Sequence, residues 1–370
     1  MRAAHGLVIV LSLTLGVLVW ILLPGEGPRG MEDPARPDRG VLAPFNGEVP
    51  LAPLVRIPGG AGRIVDLAAS GEALAILTRN RWYIQDAQGA EGVRGGFGDP
   101  TPGSPDWLAR PVSIAMSGHA VYVLDAGRSL VSVWDTGGVR RGEIPLRPGN
   151  ELSFQPMQVL LGPGGDLIVL SLSISREGMG RWEATTYGHV GAQAVRVGGE
   201  GQAPVKVLAV EGKASSFIFH RPFLAPHQES LLGAMALDQS FFRARPGSGD
   251  PEPLFQRPDP PRWEVPLSQQ RRYADILSRM GGVAAGLSHL PEQWPSIRGL
   301  TVRPDGSFLL AVAAGEEHQH LELLSPEGIP LRRLNRDGFT EPVFVHGGRA
   351  FMVSEDLDES VIYEFVLERE

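Results

Sequence analysis

The segment Pro111–Gly138, PVSIAMSGHAVYVLDAGRSLVSVWDTGG, constrains the fold of this chain more than any other stretch. Three apolar runs, VSIAM, AVYVLD and LVSVWD, are separated by Ser117-Gly118 and by Ala126-Gly127-Arg128, and closed by Gly137-Gly138. Alternating β-branched and aromatic residues between glycine turns read as strands, and turns this short make the strands antiparallel neighbours. Gly142–Leu146 supplies a fourth strand. The same rhythm returns in Pro295–Gly328: Ile297–Val302, the turn Pro304-Asp305-Gly306, Phe308–Val312, Leu321–Leu324 and Glu327-Gly328. Weaker copies begin at Ile64, Met157, Phe223 and Val343.

A four-stranded unit repeating at ~40–50 residues is the signature of a propeller blade. The expected fold is therefore all-β: a six-bladed β-propeller over residues 51–370, with an N-terminal transmembrane helix and one inserted helix. Composition agrees. The 47 Gly and 32 Pro supply turns, and a hydrophobic content of 42% suffices for a core and excludes a wholly disordered chain. There is no cysteine, which removes disulfides, thiolate metal sites and a cysteine nucleophile together.

Pro111-Val112-Ser113-Ile114-Ala115, Val121-Tyr122-Val123-Leu124-Asp125 and Val131-Ser132-Val133-Trp134-Asp135, with Gly137 or Gly138, resemble an NHL repeat. The resemblance is specific in residues 110–146, weaker in 295–328, and departs from the usual pattern at Leu124 and Ala126-Gly127. It implies the six-bladed propeller superfamily. That superfamily includes binding modules, lactonases and lyases, so the resemblance leaves the activity open.

The first fifty residues carry the address. Gly6–Leu23 is an eighteen-residue run without charge, nearly long enough as a helix to cross a bilayer core. The run exceeds a typical cleaved signal region, and no Ala-x-Ala follows it. Residues 1–23 read as a signal anchor, with a cleaved signal peptide as the alternative. Arg2 precedes the run and a net negative stretch follows, so the N-terminus stays cytoplasmic and the propeller is exported. The expected location is the cytoplasmic membrane, single-pass, with an extracytoplasmic (periplasmic) domain. Residues 24–50, rich in Pro, Gly and mixed charge, form a tether. The formal charge of −8 excludes a general nucleic-acid binder.

The last repeat holds three strands, Val343–Val345, Phe351–Ser354 and Val361–Leu367. The strand-like Ala52–Ile57 is expected to complete it, closing the ring and removing its edges.

Two excursions interrupt the repeat, 171–193 between the second and third strands of blade three and 262–294 between blades four and five. Both fall on the face where one blade connects to the next, where a rigid scaffold presents functional loops. The second contains a helical pattern, with Ser268 as N-cap, Tyr273, Ile276, Leu277 and Met280 on one face and Gly281 as the stop. Candidate ligand- or partner-binding residues are Arg110, Asp125, Arg176, Trp182, Arg221, Trp294, Arg298 and Asp356, with Trp263 nearby, because Trp and Arg dominate binding hot spots. If Ile297 packs between blades, Arg298 points toward the channel; a neighbouring carboxylate such as Asp66 is its alternative, purely structural partner.

No Gly-x-Ser-x-Gly, His-Glu-x-x-His or Walker loop occurs, so no catalytic residue is assigned. His318 and His320, two apart on a strand, share a face that could serve a metal, although the surrounding Glu316–His320 reads as a hairpin tip. Asp305 reads as the turn residue of Pro-Asp-Gly. Two main functions remain, with a structural or signalling ectodomain that binds no small ligand as a third. The first is a membrane-tethered module binding a protein, peptide or glycan through the insertion-bearing rim, without a cofactor. The alternative is a lactonase-like hydrolase or lyase holding Ca2+ or another divalent cation in the channel.

Overall fold

The computed structural model describes residues 51–58, 63–85, 93–146, 153–174, 179–190, 195–197, 205–213, 221–245, 250–257, 264–265, 267–268, 270–271, 293, 296–313, 318–355, 359–365 and 367. The apolar run 6–23 and the tether 24–50 lie outside these residues. Among the described residues no helix is long and apolar enough to cross a membrane.

Among the described residues, twenty-five strands form six antiparallel sheets. β1 is Leu51–Pro58. Blade one is β2 (Ile64–Ser70), β3 (Ala73–Thr78), β4 (Trp82–Gln85) and β5 (Arg94–Phe97). Blade two is β6 (Pro111–Met116), β7 (Ala120–Asp125), β8 (Leu130–Asp135) and β9 (Arg140–Pro145). Blade three is β10 (Ser153–Leu161), β11 (Asp166–Ile174), β12 (Met179–Val190), β13 (Val195–Val197) and β14 (Val205–Lys213). Blade four is β15 (Pro222–His227), β16 (Ser230–Met235), β17 (Ser240–Ala244) and β18 (Glu252–Gln256). Blade five is β19 (Ile297–Val302), β20 (Phe308–Ala313), β21 (Gln319–Leu324) and β22 (Pro330–Phe339). Blade six is β23 (Val343–His346), β24 (Arg349–Glu355) and β25 (Glu359–Phe365), completed by β1.

The first strands touch in sequence around a closed ring, β2 to β6 to β10 to β15 to β19 to β23 and back to β2. These six innermost strands line the channel. Closure occurs as the sequence predicts: β1 pairs antiparallel with β25, Arg56 opposite Val361 and Ile57 opposite Ser360. Ile57 is fully buried in a core shared by blades six and one.

The core lies between the sheets. Trp82 and Trp134 meet edge to face at 5.9 Å between blades one and two. Between blades four and five, Phe241 meets Phe308 at 5.0 Å and stacks on Phe255 at 4.4 Å. Ile297 is buried in the same core, as its expected interblade position requires. The glycine that ends each of the two clearest repeats has a packing reason. A Cβ at Gly138 would strike the ring of Phe97 in blade one, and one at Gly328 would strike Phe255 in blade four. Both glycines also have φ near +85°, where a side chain is strained.

Polar side chains bind the blades laterally. Asp66 Oδ2 accepts from Ile114 N and Ser113 Oγ, joining blade one to blade two. Ser113 Oγ accepts from Val159 N, joining blade two to blade three. Ile64 N donates to Glu355 Oε1 and Ala69 N to His346 Nδ1, joining blade one to blade six.

One expected excursion proves to be sheet. Residues 171–174 belong to β11 and 179–190 to β12, so 171–193 mostly lengthens two strands instead of forming a loop. Cross-strand pairing continues through it: Leu172 sits opposite Trp182 and Trp182 opposite Val210. The other excursion, 262–294, lies largely outside the described residues. Its helix begins earlier than expected, since Leu267 and Ser268 are already helical.

Candidate functional site

Antiparallel order decides which face carries what. Each innermost strand starts on the face where the preceding blade connects, and the turn between second and third strands returns to that face. The extended hairpin of blade three, the 258–295 connection and the start of every innermost strand therefore share one face. On blade three the whole sheet rises: Ser153–Gln155, Leu172–Ile174, Met179–Trp182 and Val210–Lys213 are paired above the level at which neighbouring blades begin. At ~3.3 Å per residue, three extra residues make a wall ~10 Å tall.

The 258–295 connection is tied at both ends by one side chain. Gln239 Oε1 accepts from Arg257 Nη1 at 3.1 Å, and Gln239 Nε2 donates to Ser296 Oγ at 2.6 Å. Gln239 is fully buried and sits at φ +50°, a conformation uncommon outside glycine. An isolated bridge between Glu264 and Gln293 holds the connection together further out. Arg257 continues the network to Glu322 Oε2 at 2.5 Å, while Glu322 Oε1 receives Arg333 Nε at 2.7 Å and His320 Nε2 at 3.0 Å. Although burial acts to raise it, these partners hold the Glu322 carboxyl down to about 2.

The channel mouth is set by the residues just before the innermost strands. Arg110 and Arg221 occupy equivalent places: the Arg110 carbonyl accepts from Ala126 N at 3.0 Å, and the Arg221 carbonyl from Ala236 N at 2.9 Å. Each precedes a proline that opens the strand, which favours an extended backbone at the arginine. Arg221 lies over the Phe223 ring at 4.8 Å. Burial pulls its guanidinium down to about 10 against the opposing pull of the Asp66 charge. Asp66, in blade one, is pushed up to about 6 by burial, which outweighs its hydrogen bonds and the Arg221 charge.

The sequence-predicted residues divide. Arg110, Arg221 and Arg298 stand at this mouth, all partly exposed. Arg298 lies at a β-bulge between Ile297 and Gly299, which re-aims it relative to simple alternation. Asp125 is scaffold: it is fully buried, and its carboxylate receives the backbone N–H groups of Ala109, Arg110, Gly127 and Arg128. Trp182 is core, 1% exposed in the middle of β12, because the segment around it is strand and not loop. Arg176, Trp263, Trp294 and Asp356 lie outside the described residues.

His320 also departs from expectation. It is buried within β21 against Glu322, not in a hairpin tip. Among the described residues no three His, Asp or Glu side chains are grouped to hold a metal ion. Asp305 is the turn residue expected, its Oδ1 accepting from Ser307 N at 3.0 Å, and it lies on the opposite face from the excursions. Gln239 was missed. Its only sequence signal is its place between β16 and β17, one turn from a blade entry.

No known protein-family model matches the chain, and no curated protein does. Solved structures with a similar path include a gluconolactonase, XC5397, from Xanthomonas campestris, at 11% identity and TM-score 0.47, covering 86% of this chain and 90% of that one. The calcium-binding protein regucalcin from Agrobacterium tumefaciens matches at 12% identity and TM-score 0.47, covering 87% and 96%. BamB from Moraxella catarrhalis matches at 11% identity and TM-score 0.38, covering 86% and 92%. The fold of this chain, read from its own sheets, is an all-β six-bladed propeller.

Proposed function

We propose that this chain is a membrane-tethered, extracytoplasmic propeller of NHL-like repeats that binds a protein, peptide or glycan partner. The binding face is the one on which the blades are entered. One observation carries this reading: three additions to the plain ring gather on that face, whereas β13, the extra strand of blade three, follows the opposite end of β12. The blade-three wall, both ends of the connection tied by Gln239 and the entry residues Arg110, Arg221 and Arg298 all lie there, while tight turns such as Ser117–Ala120 close the other face. A rigid scaffold with added structure on one side is how binding surfaces are commonly presented. The uncharged run 6–23 and the polar stretch 24–50 support the tether.

The test is membrane fractionation of cells expressing the full chain, followed by protease treatment of spheroplasts and by crosslinking of intact cells. The reading expects the chain in the membrane fraction, digestion of residues beyond 50 from the outside, and a discrete crosslinked adduct. A protease-protected propeller that crosslinks to nothing outside the membrane contradicts it.

A further inference from the structure

In two arginines at the channel mouth part of the guanidinium group is left unsatisfied. The Nε atoms of Arg110 and Arg221 are buried without a partner. Asp125, whose charge acts on Arg110, spends its oxygens on four backbone N–H groups. Asp66, whose charge reaches Arg221 across the ring, is occupied by Ser113, Ile114 and Leu67. A buried N–H without a hydrogen bond is expensive, and burial depresses the proton affinity of both arginines. Two such groups at equivalent places of blades two and four repeat the same costly choice.

The blade between them supplies a third unpaired group. Gln158 in β10 holds the place that Asp66 holds in β2 and Ser113 in β6, one residue beyond the strand's bulge. Asp66 and Ser113 each accept from the next blade's backbone. Gln158 does not: its Oε1 is buried without a partner, and the next innermost strand, β15, pairs with no bulge. The lateral ladder stops where the two arginines flank it.

We propose that Arg110, Gln158 and Arg221 form a receiving arc for a small soluble ligand bearing an oxyanion, a carboxylate or a phosphate, together with a hydroxyl. The planar guanidinium fork matches either oxyanion in two parallel hydrogen bonds. The Gln158 carbonyl accepts a hydrogen bond from the hydroxyl. Ligand binding then removes the penalty that the free protein carries in its unpaired donors, so the site is pre-organised for charge of the sign that the protein as a whole repels.

This inference rests on the entry face being the binding face, yet its test is separate from any macromolecular adduct. Isothermal titration of the full chain in detergent is carried out with succinate, tartrate, inorganic phosphate and uncharged glucose. Succinate and tartrate differ only in hydroxyls. The arc predicts saturable one-to-one binding of an oxyanion, tartrate at least threefold tighter than succinate, and no binding of glucose. Arg110→Met and Arg221→Met should each weaken the oxyanion at least tenfold, and Gln158→Leu should abolish the preference for tartrate. Arg110→Lys and Arg221→Lys keep the charge without the fork and should fall between, which covers the case in which a methionine variant fails to fold. Absence of saturable oxyanion binding, or binding unchanged in the folded arginine variants, overturns the proposal whatever crosslinks to the rim. Equal affinity for tartrate and succinate overturns the role of Gln158.

Discussion

Asp66 and Arg221 come from opposite blades of the ring, one and four, and act on each other's charge across the channel. Neither completes an ion pair. Asp66 turns its oxygens to the backbone and hydroxyl of blade two, and Arg221 turns its fork to the Phe223 ring. The channel thus holds charge that its own residues do not neutralise by contact.

Asp66 has a pH consequence that a second buried group masks. Its folded-state proton affinity is raised to about 6, so its contribution to stability is full below about pH 4 and is lost as pH rises through 6. His346 is held down to about 4 by burial, with its Nδ1 accepting from Ala69 N. Its contribution is full above pH 6.5 and is lost as pH falls through 4. Between about pH 4 and 6 the two slopes oppose. The wild-type chain should show nearly flat stability there, whereas Asp66→Asn should gain about 2–3 kcal/mol between pH 4 and 6.5. Denaturant unfolding at four pH values checks this, and an Asp66→Asn profile as flat as the wild type refutes it.

Closure through β1 carries its own expectation. Ile57 is fully buried where β1 meets β25, so Ile57→Ala should cost about 2–4 kcal/mol. Removing residues 1–58 should expose the edge of β25 and promote aggregation. Thermal melting and light scattering of the truncated and untruncated domains compare the two. Equal melting points would mean that the ring does not depend on this strand.

The buried network at the blade-four and blade-five junction predicts a local effect and a global one. Gln239→Ala removes both ends of the tie and should speed hydrogen exchange at Ser296 and Ile297, whose amides bond Ala236 O, before it affects distant blades. Glu322→Gln leaves Arg257, itself 8% exposed, without its counter-charge and should cost about 3–5 kcal/mol. Because Glu322 is held down to about 2, its contribution is present above pH 4.5 and is lost as pH falls toward 2. The difference between wild type and variant should shrink with that fall, and a difference that stays constant to pH 2 would place the stabilisation elsewhere.

The ring was legible because its rule is local. Alternation and glycine turns mark each strand, and the recurring glycine after the third strand reflects a contact, Gly138 on Phe97 and Gly328 on Phe255. The site was legible only in part. Arg110, Arg221 and Arg298 follow from their position at blade entries, but what each side chain meets depends on other blades. Asp125 looked available because its four backbone partners sit in loops whose path the sequence does not specify. Residues 171–193 looked like a loop by length, and only the pairing of Trp182 with Leu172 and Val210 reveals a wall. The Gln239 tie spans 57 residues to Ser296, a separation no local pattern signals.

The central claim is that one face of the ring binds. Site-specific photo-crosslinking in living cells tests it most directly, with a photoreactive side chain placed one position at a time. Asn80 and Arg298 lie on the entry face, and His119 and Glu229, both exposed, lie on the turns of the opposite face. The account predicts adducts from Asn80 and Arg298 and none from His119 and Glu229. Adducts confined to His119 and Glu229 would contradict it.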